Sequence, residues 1–206
     1  MLNRKYSVIV FDLGNVLLPF DYNKLLSKLE KVEGGLGEHF EEIYYSNYEF
    51  HRNFERGKIS EEKFIGRMLE ILNHKIDSAT FCNYYANIFE VNEDVAALLP
   101  KLKENYKLII LSNTDPIHTK YGWEHYEFLQ HFDNLILSHE TGAVKPEEKI
   151  YRAVEKASGV PAEEHLFIDD IDKYVDAAMN LGWDGIQFTC YSSLLEELKS
   201  RNIITK

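Results

Sequence analysis

Polar groups recur in this 206-residue chain where apolar, strand-like runs end. They are Asp12 after the first run, Ser112-Asn113-Thr114 after the second, Lys145-Pro146 beyond the third, and Asp169-Asp170 at the end of the fourth. Each group alone is ordinary, because an Asp or Ser after a strand usually belongs to a turn. Together they form a phosphoryl-transfer set: a carboxylate can attack phosphorus, while hydroxyl, backbone N–H and ammonium groups hold the phosphoryl oxygens.

A nucleophilic Asp12 needs a divalent cation beside it. A phosphate ester is negatively charged and repels an anionic nucleophile, so a cation has to stand between them. Asp12 and Asp170 offer hard oxygen ligands, and Mg²⁺ usually takes one or two carboxylates together with phosphate and water. The sequence therefore predicts a Mg²⁺ site at Asp12 and Asp170, with Ser112 and Lys145 holding the phosphoryl group.

Short apolar runs position these groups. The runs are continuous rather than alternating, which indicates strands covered on both faces and hence a parallel sheet in an α/β domain. Ligands of such sheets bind at the carboxyl ends of the strands, so the polar groups should meet at one edge. The runs span residues 7–11, 108–111, 135–137, 166–168 and, more weakly, 185–188; helical patterns span residues 147–156 and 174–181.

The pattern changes between residues 20 and 91, where helical periodicity rich in Tyr, Phe, Glu and Lys replaces the strand-like runs. Ser60 before two glutamates is typical of a helix N-cap with an acidic first turn. An insertion of roughly seventy residues is far longer than an ordinary connection. We therefore predict an α/β core domain formed by residues 1–19 and 92–206, interrupted by a helical cap domain formed by residues 20–91.

The order of these motifs resembles the haloacid dehalogenase superfamily over nearly the whole chain. The resemblance rests on Asp12 after a hydrophobic strand and on the segments 111–113, 145–146 and 167–170. It implies a Rossmann-like sheet, with a helical cap of the kind that is inserted between the first and second motifs. The first motif, residues 12–16, is also similar to the bacterial subgroup that includes sugar-1-phosphate phosphatases.

The resemblance also implies roles for individual residues. Asp12 would be the nucleophile, forming an aspartyl-phosphate, and the backbone carbonyl of Gly14 would reach the metal. Cap loops face the cleft in this family, which makes Arg56 a candidate for substrate contact. The implied sets are Asp12, Ser112 and Lys145 for catalysis, Ser112, Asn113, Lys145 and Arg56 for substrate binding, and Asp12, Gly14 and Asp170 for Mg²⁺.

Two positions depart from the superfamily's pattern. Gly14 stands where most of its phosphatases carry a second Asp, which protonates the leaving group. Tyr174 stands where the fourth motif often has another acid or Asn. If no other group donates the proton, the reaction should favour acidic leaving groups, as in anomeric or aryl phosphates. Water, His118 or a cap residue is the alternative donor.

Composition limits the partners. The chain has 34 Asp and Glu against 23 Lys and Arg, a net charge of −11, with no basic cluster, which argues against nucleic acid and anionic membranes. The apolar run at residues 8–11 is too short for a signal peptide or membrane span. Cys82 and Cys190 form no CxxC pair and favour a reducing cytoplasm. We predict a small phosphate ester as partner and leave monomer or homodimer open.

Two other functions stay open. A carbon–halogen hydrolase would use the same Asp12 and needs no general acid, which suits Gly14. It also needs no metal, whereas Asp169-Asp170 beside Asp12 would repel it unless a cation joined them. A non-catalytic relative that binds a ligand or partner is favoured by Gly14 and Tyr174 and opposed by the intact strand-end groups. The leading prediction is a Mg²⁺-dependent phosphatase of a small phosphorylated metabolite, such as a sugar phosphate.

Overall fold

The computed structural model describes residues 5–204, so the ends of the predicted core domain, 1–4 and 205–206, lie outside the described residues. A five-stranded parallel sheet forms its centre. The strands are β1 Val8–Phe11, β2 Lys107–Ser112, β3 Asn134–Leu137, β4 His165–Asp169 and β5 Asp184–Gln187. Their order in the sheet is β3-β2-β1-β4-β5. The predicted α/β class with a parallel Rossmann-like sheet is confirmed, each strand lying within one or two residues of its predicted run.

Strand register brings the polar groups to one edge of the sheet. Phe11 on central β1 pairs with Ile110 on β2 and with Ile168 on β4. The backbone N–H of Asp12 then donates to the Ile168 carbonyl at 2.8 Å, so the chain leaves β1 still attached to β4. Because the strands run in the same direction, the residues that follow β1, β2 and β4 meet at the carboxyl edge.

All regular elements between residues 23 and 86 are helices. They are α1 Asn23–Val32, α2 Leu36–Ser46, α3 Tyr48–Glu55, α4 Glu61–Ile71 and α5 Ser78–Ala86. They enclose a hydrophobic cluster of their own, in which the Phe54 and Phe64 rings stack at 4.0 Å. Ser60 Oγ accepts from the Lys63 N–H at 3.3 Å and caps α4, as predicted. We propose that this unit, residues 20–91, is the cap domain.

Further helices cover both faces of the sheet. They are α6 Glu93–Ala96, α7 Leu99–Lys103, α8 Ser138–Thr141, α9 Glu148–Ser158, α10 Asp172–Asn180 and α11 Tyr191–Ser200, with a π-helix at His118–Trp123 and 3₁₀ turns at Glu127–His131 and Ala162–Glu164. Alternate residues of β1 face opposite sides. Ile9 and Phe11 join the cluster that includes residues of α7 and α11, whereas Val8 and Val10 join the cluster of α9. Burial on both faces explains the continuous apolar run.

Candidate active site

A buried lysine stands at the centre of the carboxyl edge. Lys145 Nζ lies 2.8 Å from Asp12 Oδ1 and 2.5 Å from Asp169 Oδ2, and the lysine is only 1% exposed. Burial by itself lowers the pKa of Lys145, but the two carboxylates outweigh it and raise the pKa above its ordinary value. The ammonium therefore stays charged and is shared between the end of β1 and the end of β4.

Three carboxylates converge around this lysine. Oxygen atoms of Asp12, Asp169 and Asp170 lie within 4.8 Å of one another. Burial raises the pKa of Asp12; Lys145 lowers it, and the neighbouring Asp169 and Asp170 raise it further, so the net shift is upward. Burial also raises the pKa of Asp170, and the charge of Asp169 adds to this. With all three carboxylates ionised, the cluster would carry more negative charge than Lys145 balances, and a cation at this position would favour that ionised state.

The loop after β1 adds two groups to this cluster. Asn15 adopts φ 55°, a left-handed conformation that Asn tolerates better than most residues. Its side-chain amide donates to Asp170 Oδ2 at 3.1 Å. The Gly14 carbonyl accepts from the Val16 N–H at 2.7 Å, which leaves it a second lone pair. Sequence reasoning missed Asn15, although its place in a tight turn after a strand was a usable signal.

Asn113 holds the backbone of Lys145. The Lys145 N–H donates to Asn113 Oδ1 at 2.7 Å, and Asn113 Nδ2 donates to the Lys145 carbonyl at 3.2 Å. Asn113 Nδ2 also lies 3.4 Å from the Tyr174 hydroxyl. The predicted substrate ligand Asn113 thus has its amide engaged in fixing the lysine, although it still lines the cavity beside Asp12. Ser112 ends β2 and is buried at the same edge.

The cap places an arginine against this site. Arg52 Nη2 donates to the Lys145 carbonyl at 3.0 Å, and Nη1 pairs with Glu55 Oε2 at 2.7 Å. Both side chains are mostly buried and line a cavity of about 160 Å³ together with Asp12 and Asp170. Arg52 is therefore the arginine that reaches the predicted phosphoryl site.

Arg56, the arginine predicted to contact substrate, lies elsewhere. Its Nε donates to Glu147 Oε1 at 2.9 Å and its Nη1 to Glu49 Oε1 at 3.0 Å. The adjacent Gly57 has φ 67°, and a Cβ there would lie 2.2 Å from the His139 carbonyl oxygen, so the turn presses against the core. The structure does not bring Arg56 to the cavity; its guanidinium serves the contact between cap and core.

A larger cavity of about 280 Å³ adjoins the first. The two share five lining residues: Gly14, Phe20, Tyr48, Glu55 and Asn113. Ser112 and His118 line only the larger cavity, whereas Asp12, Lys145 and Asp170 line only the smaller one. The site thus has a charged chamber at the strand ends and an aromatic chamber under the cap.

His118, considered as a proton donor, is held by two acceptors. Its Nδ1 lies 3.0 Å from Asp115 Oδ2 and its Nε2 lies 3.2 Å from the Tyr85 carbonyl oxygen. Its ring stacks on Tyr85 at 4.2 Å. Burial by itself raises the pKa of Asp115, but the His118 ring and its hydrogen bonds outweigh it and lower the pKa to about 2. Both ring nitrogens are engaged, so His118 has none free for substrate, and sequence reasoning missed Asp115.

Comparison with known families agrees with this geometry. The model of the haloacid dehalogenase-like hydrolases matches residues 6–182. The chain belongs to this family. The prediction that it is a hydrolase of the haloacid dehalogenase type is confirmed.

Several relatives of this hydrolase are named for phosphate ester hydrolysis. D-ribitol-5-phosphate phosphatase of Bacteroides thetaiotaomicron is 25% identical over 187 residues, which cover 87% of this chain and 90% of that protein. Glyceraldehyde 3-phosphate phosphatase of Pyrococcus abyssi is 28% identical over 196 residues, covering 88% and 80%. GMP/IMP nucleotidase YrfG of Escherichia coli is 36% identical over 93 residues, and this match spans only 42% of the nucleotidase.

Solved structures show the same haloacid dehalogenase-like fold. The enzyme bt-2542 of Bacteroides thetaiotaomicron, in complex with magnesium and inorganic phosphate, superposes with a TM-score of 0.78 at 25% identity, covering 89% of this chain and 94% of that one. L-2-haloacid dehalogenase of Xanthobacter autotrophicus superposes with a TM-score of 0.63 at 22% identity, covering 97% and 85%. The second likeness concerns the fold alone.

The hydrolase fills the space beside Gly14 with an aromatic ring. A Cβ at position 14 would lie 3.2 Å from the Phe20 ring, so a longer side chain there would have to displace it. Phe20 in turn packs against Tyr22 and Phe89 at ring distances of 5.6 and 6.2 Å. Position 14, where the resemblance to the superfamily implies a general acid, therefore forms part of an aromatic wall.

Proposed function

We propose that this hydrolase is a Mg²⁺-dependent phosphatase that acts on a small phosphorylated metabolite through an aspartyl-phosphate on Asp12. The observation that carries the proposal is the Lys145 ammonium, which lies between Asp12 and Asp169 while Asp170 stands beside them. The phosphatase relatives over most of the chain support it.

Each residue of the site has its own role in the proposed reaction. A carboxylate oxygen of Asp12 attacks phosphorus, the bond from phosphorus to the ester oxygen breaks, and the leaving group departs as an oxyanion that takes its proton from water. Water then attacks the phosphorus of the aspartyl-phosphate, which releases inorganic phosphate and restores Asp12. Lys145 balances charge on Asp12 and on the phosphoryl oxygens, and the Ser112 hydroxyl holds those oxygens. Asn113 keeps the Lys145 backbone in place.

The donor set fits Mg²⁺. Both oxygens of Asp169 are engaged, one by Lys145 and the other by the Ile171 N–H, so the Asp12 and Asp170 carboxylates and the Gly14 carbonyl would provide the hard oxygen ligands. A bound Mg²⁺ would neutralise negative charge on the phosphate ester next to Asp12. Asn15, which donates to Asp170, would orient that carboxylate.

Because position 14 is a glycine, the acidity of the leaving group should determine which esters are hydrolysed fastest. Without an acid at this position the departing oxygen receives little protonation, and general acid catalysis is typically worth about a hundredfold to ten-thousandfold. An anomeric or aryl oxygen is a better leaving group than a primary sugar hydroxyl. The enzyme should therefore prefer sugar 1-phosphates and aryl phosphates to 6-phosphates.

The decisive experiment is a hydrolysis screen of phosphorylated metabolites and substituted phenyl phosphates, each with Mg²⁺ and with a chelator. The expected result is Mg²⁺-dependent release of phosphate, with kcat/KM rising as the leaving-group pKa falls. A flat series with rate-limiting chemistry would show that a proton donor exists, which would overturn the leaving-group argument alone. Hydrolysis of a 2-haloacid in chelator, with no phosphate ester turned over, would replace the phosphatase by a dehalogenase.

We also propose that the enzyme works in the cytoplasm. Cys82 and Cys190 are both free thiols, as a reducing compartment would leave them. Within residues 5–204 no helix has the length and apolar character needed to cross a bilayer. The proposed partner is the phosphate ester itself rather than nucleic acid or membrane.

A further inference from the structure

Aromatic side chains of the cap and of the segments below it line much of the larger cavity. Aromatic residues lining it are Phe20, Tyr22, Tyr44, Tyr45, Tyr48, Phe89 and Trp123. Its volume of about 280 Å³ is at the lower end for ligand pockets, so it suits a compact group. Since it shares Gly14 and Asn113 with the chamber of Asp12, a group attached to the phosphate would enter it.

Two residues of this cavity carry polar atoms without a hydrogen bond. Both ring nitrogens of His51 and the Trp123 Nε1–H are buried and have no partner among the described residues. Both residues are more than nine-tenths buried. Buried polar groups are nearly always paired, and an unpaired one is costly. Their gathering around one cavity indicates that a hydrogen-bonding ligand supplies the missing partners.

The charges around the cavity disfavour an anion. Among residues 5–204, none of the side chains lining it is a lysine or arginine, and the one acidic residue that lines it, Glu55, is paired with Arg52. The ionised Asp115 lies behind His118, with its charge turned to that ring. Burial lowers the pKa of His51, so this ring is neutral near pH 7. A second phosphate or a carboxylate on the substrate would find no cation here.

We propose that the larger cavity binds the leaving group of the ester, and that this group is compact, uncharged and rich in hydroxyls, such as a sugar or polyol. His51 and Trp123 provide its hydrogen bonds, and the aromatic rings pack against its C–H faces. The inference rests on the proposed phosphatase activity and adds a specificity: monophosphates of neutral leaving groups are substrates, whereas bisphosphates and phosphorylated acids are rejected.

Matched substrate pairs test whether an additional anion on the leaving group prevents hydrolysis. Glycerol 3-phosphate is compared with 3-phosphoglycerate, and glucose 1-phosphate with glucose 1,6-bisphosphate, each pair differing by one added anion. The neutral member should have at least about a tenfold higher kcat/KM, since even one lost hydrogen bond in a site approaches that factor. Equal or better hydrolysis of the anionic members would overturn the proposal. Comparing kcat/KM for ribose 5-phosphate and inosine 5′-monophosphate shows whether the hydroxyls belong to a free sugar or to a nucleoside.

Two tryptophans provide a matched pair of variants. Trp123→Phe removes the unpaired N–H in the cavity, whereas Trp183→Phe removes an N–H that donates to Glu155 at 2.8 Å in the core. Trp123→Phe should raise KM for the neutral sugar phosphates about tenfold. Trp183→Phe should leave KM unchanged and lower the midpoint of unfolding. His51→Phe provides a second cavity variant. Unchanged KM in both folded cavity variants would overturn the role of these groups.

A binding measurement separates this inference from the catalytic one. In Trp183→Phe protein, Trp123 is the remaining tryptophan, so its fluorescence reports on the cavity. Added glycerol, ribitol or glucose should change this fluorescence saturably, and glycerate should not. If no phosphate ester is hydrolysed but these alcohols bind, the phosphatase proposal fails and the cavity assignment stands. If esters are hydrolysed but glycerate binds as well as glycerol, only the cavity assignment fails.

Discussion

The Lys145 ammonium lies 2.5 Å from Asp169 Oδ2, and this ion pair is fully buried at the end of β4. The other oxygen of Asp169 accepts from the Ile171 N–H at 2.8 Å. Asp169 is therefore occupied on both sides and positions the lysine against Asp12. Since both oxygens of Asp169 are engaged, Asp170, the next residue, is the carboxylate available to a cation.

Lys145→Ala should cost both activity and stability. The variant loses the charge next to the nucleophile, and a single electrostatic group of this kind is typically worth about a hundredfold to a thousandfold in kcat. Removing one partner of a buried ion pair costs about 3–5 kcal/mol, here because Asp12 and Asp169 lose their counter-charge. Steady-state kinetics and urea unfolding measure the two effects. Exposed Lys149→Ala is the control, and a Lys145→Ala enzyme with normal kcat would make the lysine structural only.

Asp12→Asn should abolish turnover and keep the fold. The amide is nearly isosteric but not nucleophilic, and Lys145 retains Asp169 as its partner. Circular dichroism and urea unfolding check the fold, and single-turnover assays check whether phosphoenzyme forms. A structure of the wild-type protein with a phosphate-mimicking metal fluoride should place the mimic against Asp12. Near-normal turnover by the variant would exclude covalent catalysis by this residue.

Removing Mg²⁺ should abolish activity and lower stability. Asp12 and Asp170 repel each other without a cation, so added Mg²⁺ should raise the unfolding midpoint of the wild-type protein. Asp170→Asn removes part of this repulsion. In chelator, Asp170→Asn should be more stable than the wild-type protein. Its unfolding midpoint should rise less when Mg²⁺ is added. Thermal unfolding across a Mg²⁺ titration gives both values, and an identical Mg²⁺ response in the two proteins would place the metal elsewhere.

Arg52 and Arg56 should differ in their effect on catalysis. Arg52→Ala removes a side chain that lines the chamber of Asp12 and donates to the Lys145 carbonyl, so kcat/KM should fall at least about tenfold. Arg56→Ala breaks pairs with Glu49 and Glu147 outside that chamber, so it should affect kcat/KM little. Parallel kinetics on one substrate decide between them. A larger loss in Arg56→Ala would support the substrate contact predicted for Arg56 and contradict the role proposed for Arg52.

Asp115 should stabilise the protein above pH 4 and lose this contribution in acid. Its pKa falls from 3.8 to about 2 on folding, because the His118 ring outweighs the effect of burial. A lowered pKa means that the carboxylate stabilises the fold above the unfolded pKa, by about 2 kcal/mol, and less as pH falls from 4 toward 2. Urea unfolding of the wild type and of Asp115→Asn should show a gap that narrows below pH 4. A gap that stays constant down to pH 3 would contradict this.

The sequence alone determined the parallel sheet and the polar groups at its carboxyl edge. Buried parallel strands leave continuous apolar runs, and these runs end at Asp12, Ser112 and Asp169, so strand positions and the candidate nucleophile could be read locally. The helical insertion was visible for the same reason, because helical periodicity and the Ser60 cap are also local signals. The motif order then indicated the family that the comparison confirmed.

Only the tertiary structure decided which side chains lie at the candidate site. The choice of Arg52 rather than Arg56 depends on how the cap turn at Gly57 packs against the core, which no periodicity encodes. The use of Asn113 to hold the Lys145 backbone joins residues 32 positions apart. The aromatic chamber likewise combines cap residues with the Trp123 region. Such contacts arise from packing between distant segments, and local sequence signals carry no information about that packing.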